Sequence, residues 1–178
     1  MDKASLRKET IQAMRALSVE EKKAYDKSLL RAFIDSPAYQ QAATLATYLN
    51  MGYEFSTAPL IEQALSDGKR VLIPKTYPQG RMIFVEYDPE GLQATKFGLM
   101  EPVSQEAVDK SHIDLIHVPG VVFQEDGYRI GYGAGYYDRY LADYQGATQS
   151  TVYPVQAGHF QPQSHDVAVK EVLYGRLD

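Results

Sequence analysis

The sequence contains no cysteine, which excludes disulfides, thiolate metal sites and a thiol nucleophile. It also lacks an excess of basic residues, since its formal net charge is -5, and a general nucleic-acid-binding protein carries the opposite sign. An anionic ligand would therefore have to be bound by a few well-placed cations. No uninterrupted apolar run approaches the roughly 20 residues that cross a bilayer, and the first residues lack an apolar signal core. We expect a cytoplasmic protein without a membrane or nucleic-acid partner.

The arrangement of apolar segments predicts a single α/β domain over residues 1–178. This length suffices for one hydrophobic core, and no internal repeat, low-complexity tract or Pro/Gly/Ser-rich linker marks a boundary. A strand, a helix and a second strand at the observed spacing favour parallel pairing. We therefore predict a three-layer α/β/α arrangement around a mostly parallel sheet, and we expect a monomer.

Capping signals and apolar periodicity predict the individual elements. The first 36 residues are predicted to be helical, with a capping box at Ser18 and Glu21 and a closing proline at Pro37. Further helices are predicted at 57–67 and 135–144, the second one capped by Gly146. The predicted strands are 43–49, 70–74, 82–87, 114–119, 150–155 and 171–174. The segment 88–111 is predicted to be polar and irregular.

Residues 129–140, R-I-G-Y-G-A-G-Y-Y-D-R-Y, place a glycine at every second position just before a predicted helix. Glycines allow positive φ and close approach to a ligand, and a helix start preceded by glycines suits phosphate. The spacing matches neither G-x-G-x-x-G nor the Walker pattern, so a phosphate-binding loop and a flexible turn both stay open. Asp138, in the first turn of that helix, is compatible with dipole compensation and with magnesium ligation.

The stretch 114–141, D-L-I-H-V-P-G-V-V-F-Q-E-D-G-Y-R-I-G-Y-G-A-G-Y-Y-D-R-Y-L, resembles the signature region of the 5-formyltetrahydrofolate cyclo-ligase family. The resemblance covers nearly the whole chain, because K-A-S-L-R, Y-L-N-M-G-Y-E, V-L-I-P-K and E-V-L-Y follow in the family's order. Ala134 is a departure, since family members often carry glycine or lysine there. The resemblance implies a magnesium-requiring enzyme that uses ATP to convert 5-formyltetrahydrofolate into 5,10-methenyltetrahydrofolate. It also implies the fold shared with ribose-5-phosphate isomerase and CoA transferases.

The resemblance further implies a set of site residues. Catalytic roles are expected for Arg129, Tyr132 and Asp138. The residues expected to bind ATP are Lys3, Ala4, Ser5, Leu6, Arg7, Lys75, Arg129, Ile130, Gly131, Tyr132, Gly133, Ala134, Gly135, Tyr136 and Tyr137. Those expected to bind the folate are Leu49, Met51, Glu54, Tyr132, Gly133, Ala134, Gly135 and Tyr136. Asp138 and Asp166 are expected to bind Mg²⁺.

Simpler interpretations exist for several of these residues. Lys3 and Arg7 lie four residues apart and share a helix face, where a solvated basic face is common. Lys75 is compatible with an ordinary exposed lysine, and Glu54 with a loop carboxylate. Two other functional classes also stay open: a sugar-phosphate isomerase or CoA transferase-like enzyme on the same fold, and a non-catalytic nucleotide- or folate-binding module.

Overall fold

A computed structural model of the protein describes residues 1–95 and 98–178. Its α-helices are α1 (Lys3–Arg15), α2 (Val19–Asp35), α3 (Pro37–Gln41), α4 (Ala58–Ser66) and α5 (Tyr136–Leu141). Its strands are β1 (Thr44–Ala46), β2 (Arg70–Thr76), β3 (Met82–Glu86), β4 (Leu92–Ala94), β5 (Met100–Pro102), β6 (Leu115–His117), β7 (Val122–Phe123), β8 (Arg129–Ile130), β9 (Ala147–Val152) and β10 (Glu171–Tyr174). None of the helices in these ranges is long and apolar enough to cross a membrane.

A six-stranded sheet in the order β10-β9-β6-β1-β2-β3 forms the centre of the fold. All neighbouring strands in this sheet are parallel except β2 and β3, which pair antiparallel. The predicted α/β class with a mostly parallel sheet is therefore confirmed. The antiparallel pair is joined by the short turn Pro78–Gly80, which leaves no room for a crossover helix.

The two faces of the sheet bury different clusters. Leu45, Val71 and Leu115 pack with the apolar face of α2 and with α4. The next residue along each of these strands points to the other side, where the buried cluster includes Leu141 of α5. This alternation is the expected period of two, with helices covering both faces. It accounts for continuous apolar strands in a layered α/β protein.

The N-terminal helical segment is divided where the capping signals occur. Ser18 Oγ accepts from the Glu21 amide at 3.1 Å while the Glu21 carboxylate accepts from the Ser18 amide at 3.4 Å, which confirms the predicted capping box. The prediction for Pro37 needs correction, because this proline begins α3 rather than only closing α2. Its fixed φ and missing N–H suit the first position of a helix.

Several predicted boundaries were wrong. The segment 88–111 contains the antiparallel pair β4 and β5, whose backbone hydrogen bonds need no apolar periodicity; Lys96 and Phe97, within the same prediction, lie outside the described residues. Strand β1 is shorter than 43–49, β9 begins before residue 150, and α5 ends at Leu141 instead of residue 144. The hairpin of β7 and β8 was not predicted, because two-residue strands carry no periodic signal.

The topology collects the loops of interest at one edge of the sheet. Strands β1 and β6 are parallel, so their carboxyl ends lie together. The segment 47–57 follows β1, whereas Pro119 and then the β7–β8 hairpin follow β6. Ligands of open α/β sheets bind outside the carboxyl ends of the strands, so this edge is the place to look for a site.

Candidate functional site

The glycine-rich loop, residues 131–135, connects β8 to α5. Gly133 and Gly135 have φ angles of +105° and +73°, in the left-handed region that favours glycine. Gly131 has a different role, because a Cβ at this position would lie 2.8 Å from the Nη1 atom of Arg129, so glycine lets the guanidinium approach the loop. The glycines therefore serve both the backbone turn and the close approach of a cation.

A groove of about 270 Å³ lies along this loop. It is lined by all the loop residues and by Lys3, Arg7, Arg129, Tyr136, Tyr137, Asp138 and Asp166, together with Ile130, Pro119, Gln163 and His165. Arg7 Nε donates to the Gly131 carbonyl at 2.7 Å, which joins the start of α1 to the loop. The structure thus brings three of the four predicted cations, Lys3, Arg7 and Arg129, into one place with the predicted metal ligands and the loop.

Some predicted ATP-binding residues do not line this groove. Ala4 and Ser5 are exposed on α1, while Leu6 packs beside Val121 and Ile130. Lys75 is only 6% exposed, and its Nζ donates to the Pro102 carbonyl at 2.7 Å. It is therefore not an ordinary exposed lysine, since it ties β5 to β2. The structure gives no support to its predicted contact with ATP.

Arg129 is the most unusual cation of the groove. It is 9% exposed, and its Nε is buried without a hydrogen-bond partner. Within residues 1–95 and 98–178 no carboxylate lies at ion-pair distance, and its guanidinium stands 5.5 Å from the ring centroid of Tyr137. Burial lowers the pKa of Arg129, although the charges of Asp138 and Asp166 oppose that shift. A buried cation that lacks a partner is costly, and an anion entering the groove would relieve this cost.

The two predicted metal ligands lie on the wall of the same groove. Asp138 Oδ1 accepts from the Val167 amide at 3.1 Å, and Asp166 Oδ2 accepts from the Gln163 amide at 2.8 Å. Lys3 Nζ lies 3.9 Å from Asp166. The described part of the chain holds no cluster of three or more metal-binding side chains. Two carboxylates still fit Mg²⁺, which usually takes one or two protein carboxylates and completes its shell with phosphate oxygens and water.

Glu54 joins the segment after β1 to the glycine loop. Its side chain is buried; Oε1 accepts from the Met51 amide at 2.7 Å and Oε2 accepts from the Tyr132 hydroxyl at 3.1 Å. Burial raises the pKa of Glu54, while these two donors and the charge of Lys22 act in the opposite direction. Glu54 is thus a fixed, desolvated acceptor rather than a loose loop carboxylate.

Leu49 and Met51, the other predicted folate residues of this segment, have different surroundings. Leu49 lines a neighbouring cavity of about 510 Å³ with Tyr48, Tyr77 and Met100. Met51 takes part through its backbone amide and through its sulfur, which lies 3.2 Å from the hydroxyl of Tyr53. The aromatic and apolar walls of this cavity are features expected of a small-molecule site, although Glu54 is not among the residues that line it.

Sequence reasoning missed some residues of the site. His165 lines the groove, with Nε2 3.7 Å from Asp166 Oδ1, although its spacing fits no metal-ligand pattern. Tyr53, whose hydroxyl lies 2.7 Å from that of Tyr132, stands in the quoted motif Y-L-N-M-G-Y-E but was given no role there. The histidine of strand β6, His117, is not part of the site. It lies in the core, where burial lowers its pKa to about 3.

Comparisons with known proteins agree with this geometry. The 5-formyltetrahydrofolate cyclo-ligase family matches residues 1–175. A 5-formyltetrahydrofolate cyclo-ligase of Mus musculus is 32% identical over 188 residues, which cover 97% of this chain and 93% of the relative. One of Escherichia coli is 33% identical over 139 residues, which cover 75% of this chain and 76% of the relative.

Solved structures show the same relationship. The NMR structure of Aquifex aeolicus 5,10-methenyltetrahydrofolate synthetase matches with a TM-score of 0.84 and 30% identity, over 99% of this chain and 93% of that one. A 5,10-methenyltetrahydrofolate synthetase from Mycoplasma pneumoniae matches with a TM-score of 0.80 and 27% identity, over 97% of this chain and 98% of that one. The chain therefore belongs to the 5-formyltetrahydrofolate cyclo-ligase family of enzymes.

Proposed function

We propose that this protein uses ATP and Mg²⁺ to convert 5-formyltetrahydrofolate into 5,10-methenyltetrahydrofolate, with release of ADP and phosphate. The observation that carries the proposal is the buried Nε of Arg129, which lacks a hydrogen-bond partner beside the glycine loop, in a groove that also holds Lys3 and Arg7. Three cations beside a glycine-rich loop suit a polyphosphate better than a neutral ligand.

The reaction proposed for the groove is phosphoryl transfer to the formyl oxygen. That oxygen attacks the γ-phosphorus of ATP, the bond to the bridging oxygen breaks, and ADP leaves. Nitrogen 10 of the folate then attacks the activated carbon, loses its proton, and phosphate departs with the former formyl oxygen. Such chemistry asks the protein to position groups and stabilise charge rather than to act as a nucleophile.

The residues of the groove divide into two tasks in this proposal. Arg129, Lys3 and Arg7 neutralise the phosphates, and Arg129 also stabilises the charge that develops during transfer. Asp138 and Asp166 would hold Mg²⁺, which supplies charge neutralisation at the phosphate oxygens when bound. No cysteine exists in the chain, and the loop 131–135 offers backbone N–H groups and one tyrosine, Tyr132, rather than a covalent nucleophile.

The folate is proposed to bind where Glu54 meets Tyr132. A buried carboxylate can accept hydrogen bonds from the amino-pyrimidinone edge of a pterin. Leu49 with its aromatic neighbours can cover the face of the pterin ring. Tyr132 is hydrogen-bonded to Glu54 and also belongs to the glycine loop. This position would place the formyl group next to the γ-phosphate.

Turnover measured with each component left out in turn tests the proposal. We expect methenyltetrahydrofolate to form only when 5-formyltetrahydrofolate, ATP and Mg²⁺ are all supplied. Conversion without nucleotide, or none under any condition, would refute it. Calorimetric titration separates the alternatives: an isomerase or CoA transferase-like enzyme would bind neither ligand, and a binding module would bind both without turnover.

We further propose that residues 1–178 act as one domain, as a cytoplasmic monomer that binds neither nucleic acid nor membrane. The net charge of -5 opposes non-specific binding to nucleic acid and to anionic lipid. Sedimentation at the enzyme concentration used for turnover checks the oligomeric state.

A further inference from the structure

Two tyrosine hydroxyls and one carboxylate form a chain between the segment after β1 and the glycine loop. The hydroxyl of Tyr132 lies 3.1 Å from Glu54 Oε2 and 2.7 Å from the hydroxyl of Tyr53. The hydroxyl of Tyr53 also lies 3.2 Å from the sulfur of Met51. Four possible acceptors, the Glu54 carboxylate, the Met51 sulfur and the two hydroxyl oxygens, therefore compete for two hydroxyl protons.

The strengths of these acceptors decide the direction of the chain. Each hydroxyl donates one proton, and an ionised carboxylate is the strongest acceptor available, so Tyr132 donates to Glu54. The oxygen of Tyr132 is then left to accept, and Tyr53 is its donor. A thioether sulfur is only a weak acceptor, so Met51 does not compete effectively for the Tyr53 proton. The direction is Tyr53 to Tyr132 to Glu54.

Tyr132 depends on these hydrogen bonds for its position. Its side chain is 43% exposed, and the residues on both sides of it are Gly131 and Gly133, which add no packing and permit many backbone conformations. Tyr53 is better fixed, because the guanidinium of Arg15 stands 5.0 Å from its ring centroid. Tyr53 is therefore the firmer end of the pair.

We infer that Tyr53 is a positioning residue for the folate site: its hydroxyl holds Tyr132 against Glu54, and so keeps that carboxylate oriented for the substrate. Tyr53 touches neither reacting atom and acts through Tyr132. The inference rests on the proposed function, since it assumes that Glu54 receives the folate. The folate site then depends on helix α1 as well as on the glycine loop, because Arg15 of that helix holds the ring of Tyr53 in place.

The test is a double-mutant cycle on the two hydroxyls, read in steady-state kinetics. Tyr53→Phe keeps the ring and its contact with Arg15 but removes the proton. We expect the Michaelis constant for 5-formyltetrahydrofolate to rise about 5-fold to 10-fold, as for the loss of one hydrogen bond, with the constant for ATP unchanged. In a Tyr132→Phe background the same substitution should add less than about 2-fold, because its partner is already gone.

Tyr174→Phe is the matched control, since this exposed tyrosine lies on the edge strand β10, outside the groove. It should leave all constants within about 2-fold of the wild type. Thermal unfolding of each variant shows whether the fold is intact, and a lowered midpoint with unchanged kinetics would count against the inference.

The possible outcomes separate the inference from the function beneath it. An unchanged folate constant in Tyr53→Phe, an equal effect in both backgrounds, or an effect on ATP alone would overturn the role of Tyr53 while the enzyme still turns over. If the wild type binds 5-formyltetrahydrofolate without turnover, the proposed reaction fails, and the cycle is then read from dissociation constants. A wild type that neither binds nor converts this folate refutes both.

Discussion

Replacing Arg129 by methionine should separate the contribution of this residue to catalysis from its contribution to stability. Methionine keeps an unbranched apolar stem that can follow the path of the arginine stem past Gly120. Space there is tight, because a Cβ on Gly120 would lie 3.2 Å from Arg129 Cδ. The change removes the positive charge and the unpartnered Nε donor. We expect activity to fall steeply while the unliganded protein stays as stable as the wild type or becomes more stable.

The magnitudes follow from what Arg129 contacts. Loss of one group that stabilises transition-state charge typically lowers kcat by about 100-fold to 1,000-fold, or about 2.7–4 kcal/mol. On the side of stability, the lost contact with the Tyr137 ring is worth about 0.5–2 kcal/mol, whereas one buried unsatisfied polar group costs about 1–3 kcal/mol, and more when it is charged. The balance for the unliganded protein lies between a loss of about 1 kcal/mol and a gain of about 2.5 kcal/mol, and the positive charge of Arg129 shifts it towards the gain.

The assay combines kinetics with thermal unfolding in the presence and absence of ATP and Mg²⁺. ATP with Mg²⁺ at 100 times its dissociation constant should raise the free energy of unfolding of the wild type by about 2.7 kcal/mol. This increment should largely disappear in Arg129→Met. Arg70→Met serves as the control, because Arg70 pairs with Glu86 at the start of β2, outside the groove. It should keep both turnover and the increment from ATP.

Two results would refute this reasoning. Destabilisation of the unliganded Arg129→Met protein by more than about 2 kcal/mol would mean that the guanidinium is a structural group whose burial is already compensated. A full thermal shift with ATP and Mg²⁺ would mean that the nucleotide does not use Arg129 at all.

Other predictions address the remaining parts of the site. Asp138→Asn should lower turnover by at least about 100-fold through weaker Mg²⁺ binding, and excess Mg²⁺ should restore part of it; no loss of turnover would remove Asp138 from the metal site. Glu54→Gln should mainly raise the Michaelis constant for the folate, and a change confined to the ATP constant would contradict the assignment. Because burial raises the pKa of Glu54, folate binding by the wild type should weaken as the pH falls through that raised value, and titration calorimetry across pH should show this dependence disappear in Glu54→Gln. With heavy oxygen at the formyl group, mass spectrometry should find the label in inorganic phosphate; label in water, or a trapped phosphoprotein, would exclude direct transfer.

Local signals in the sequence were sufficient for the elements that local chemistry controls. The capping box at Ser18 and Glu21 depends on residues three apart, and the apolar positions of α2 repeat at helical spacing, so both could be recognised in a single window. The glycine spacing marked the loop, and the family resemblance identified most of the residues that line the groove, because it compares whole motifs rather than periods. Short strands such as β7 and β8 were missed, since they owe their conformation to pairing with each other.

The amino-acid sequence by itself determined the fold class, the absence of thiol chemistry and the residue types available for binding phosphate and folate. Only the tertiary structure decided which of those residues meet. Lys75 follows a strand and looked available, yet its ammonium binds a backbone carbonyl of β5. Arg129 is important because its Nε is buried without a hydrogen-bond partner. Tyr53 is important because its hydroxyl contacts that of Tyr132, which lies 79 residues further along the chain. The physical reason is that hydrogen bonding and desolvation depend on neighbours in space, which the order of residues along the chain does not specify.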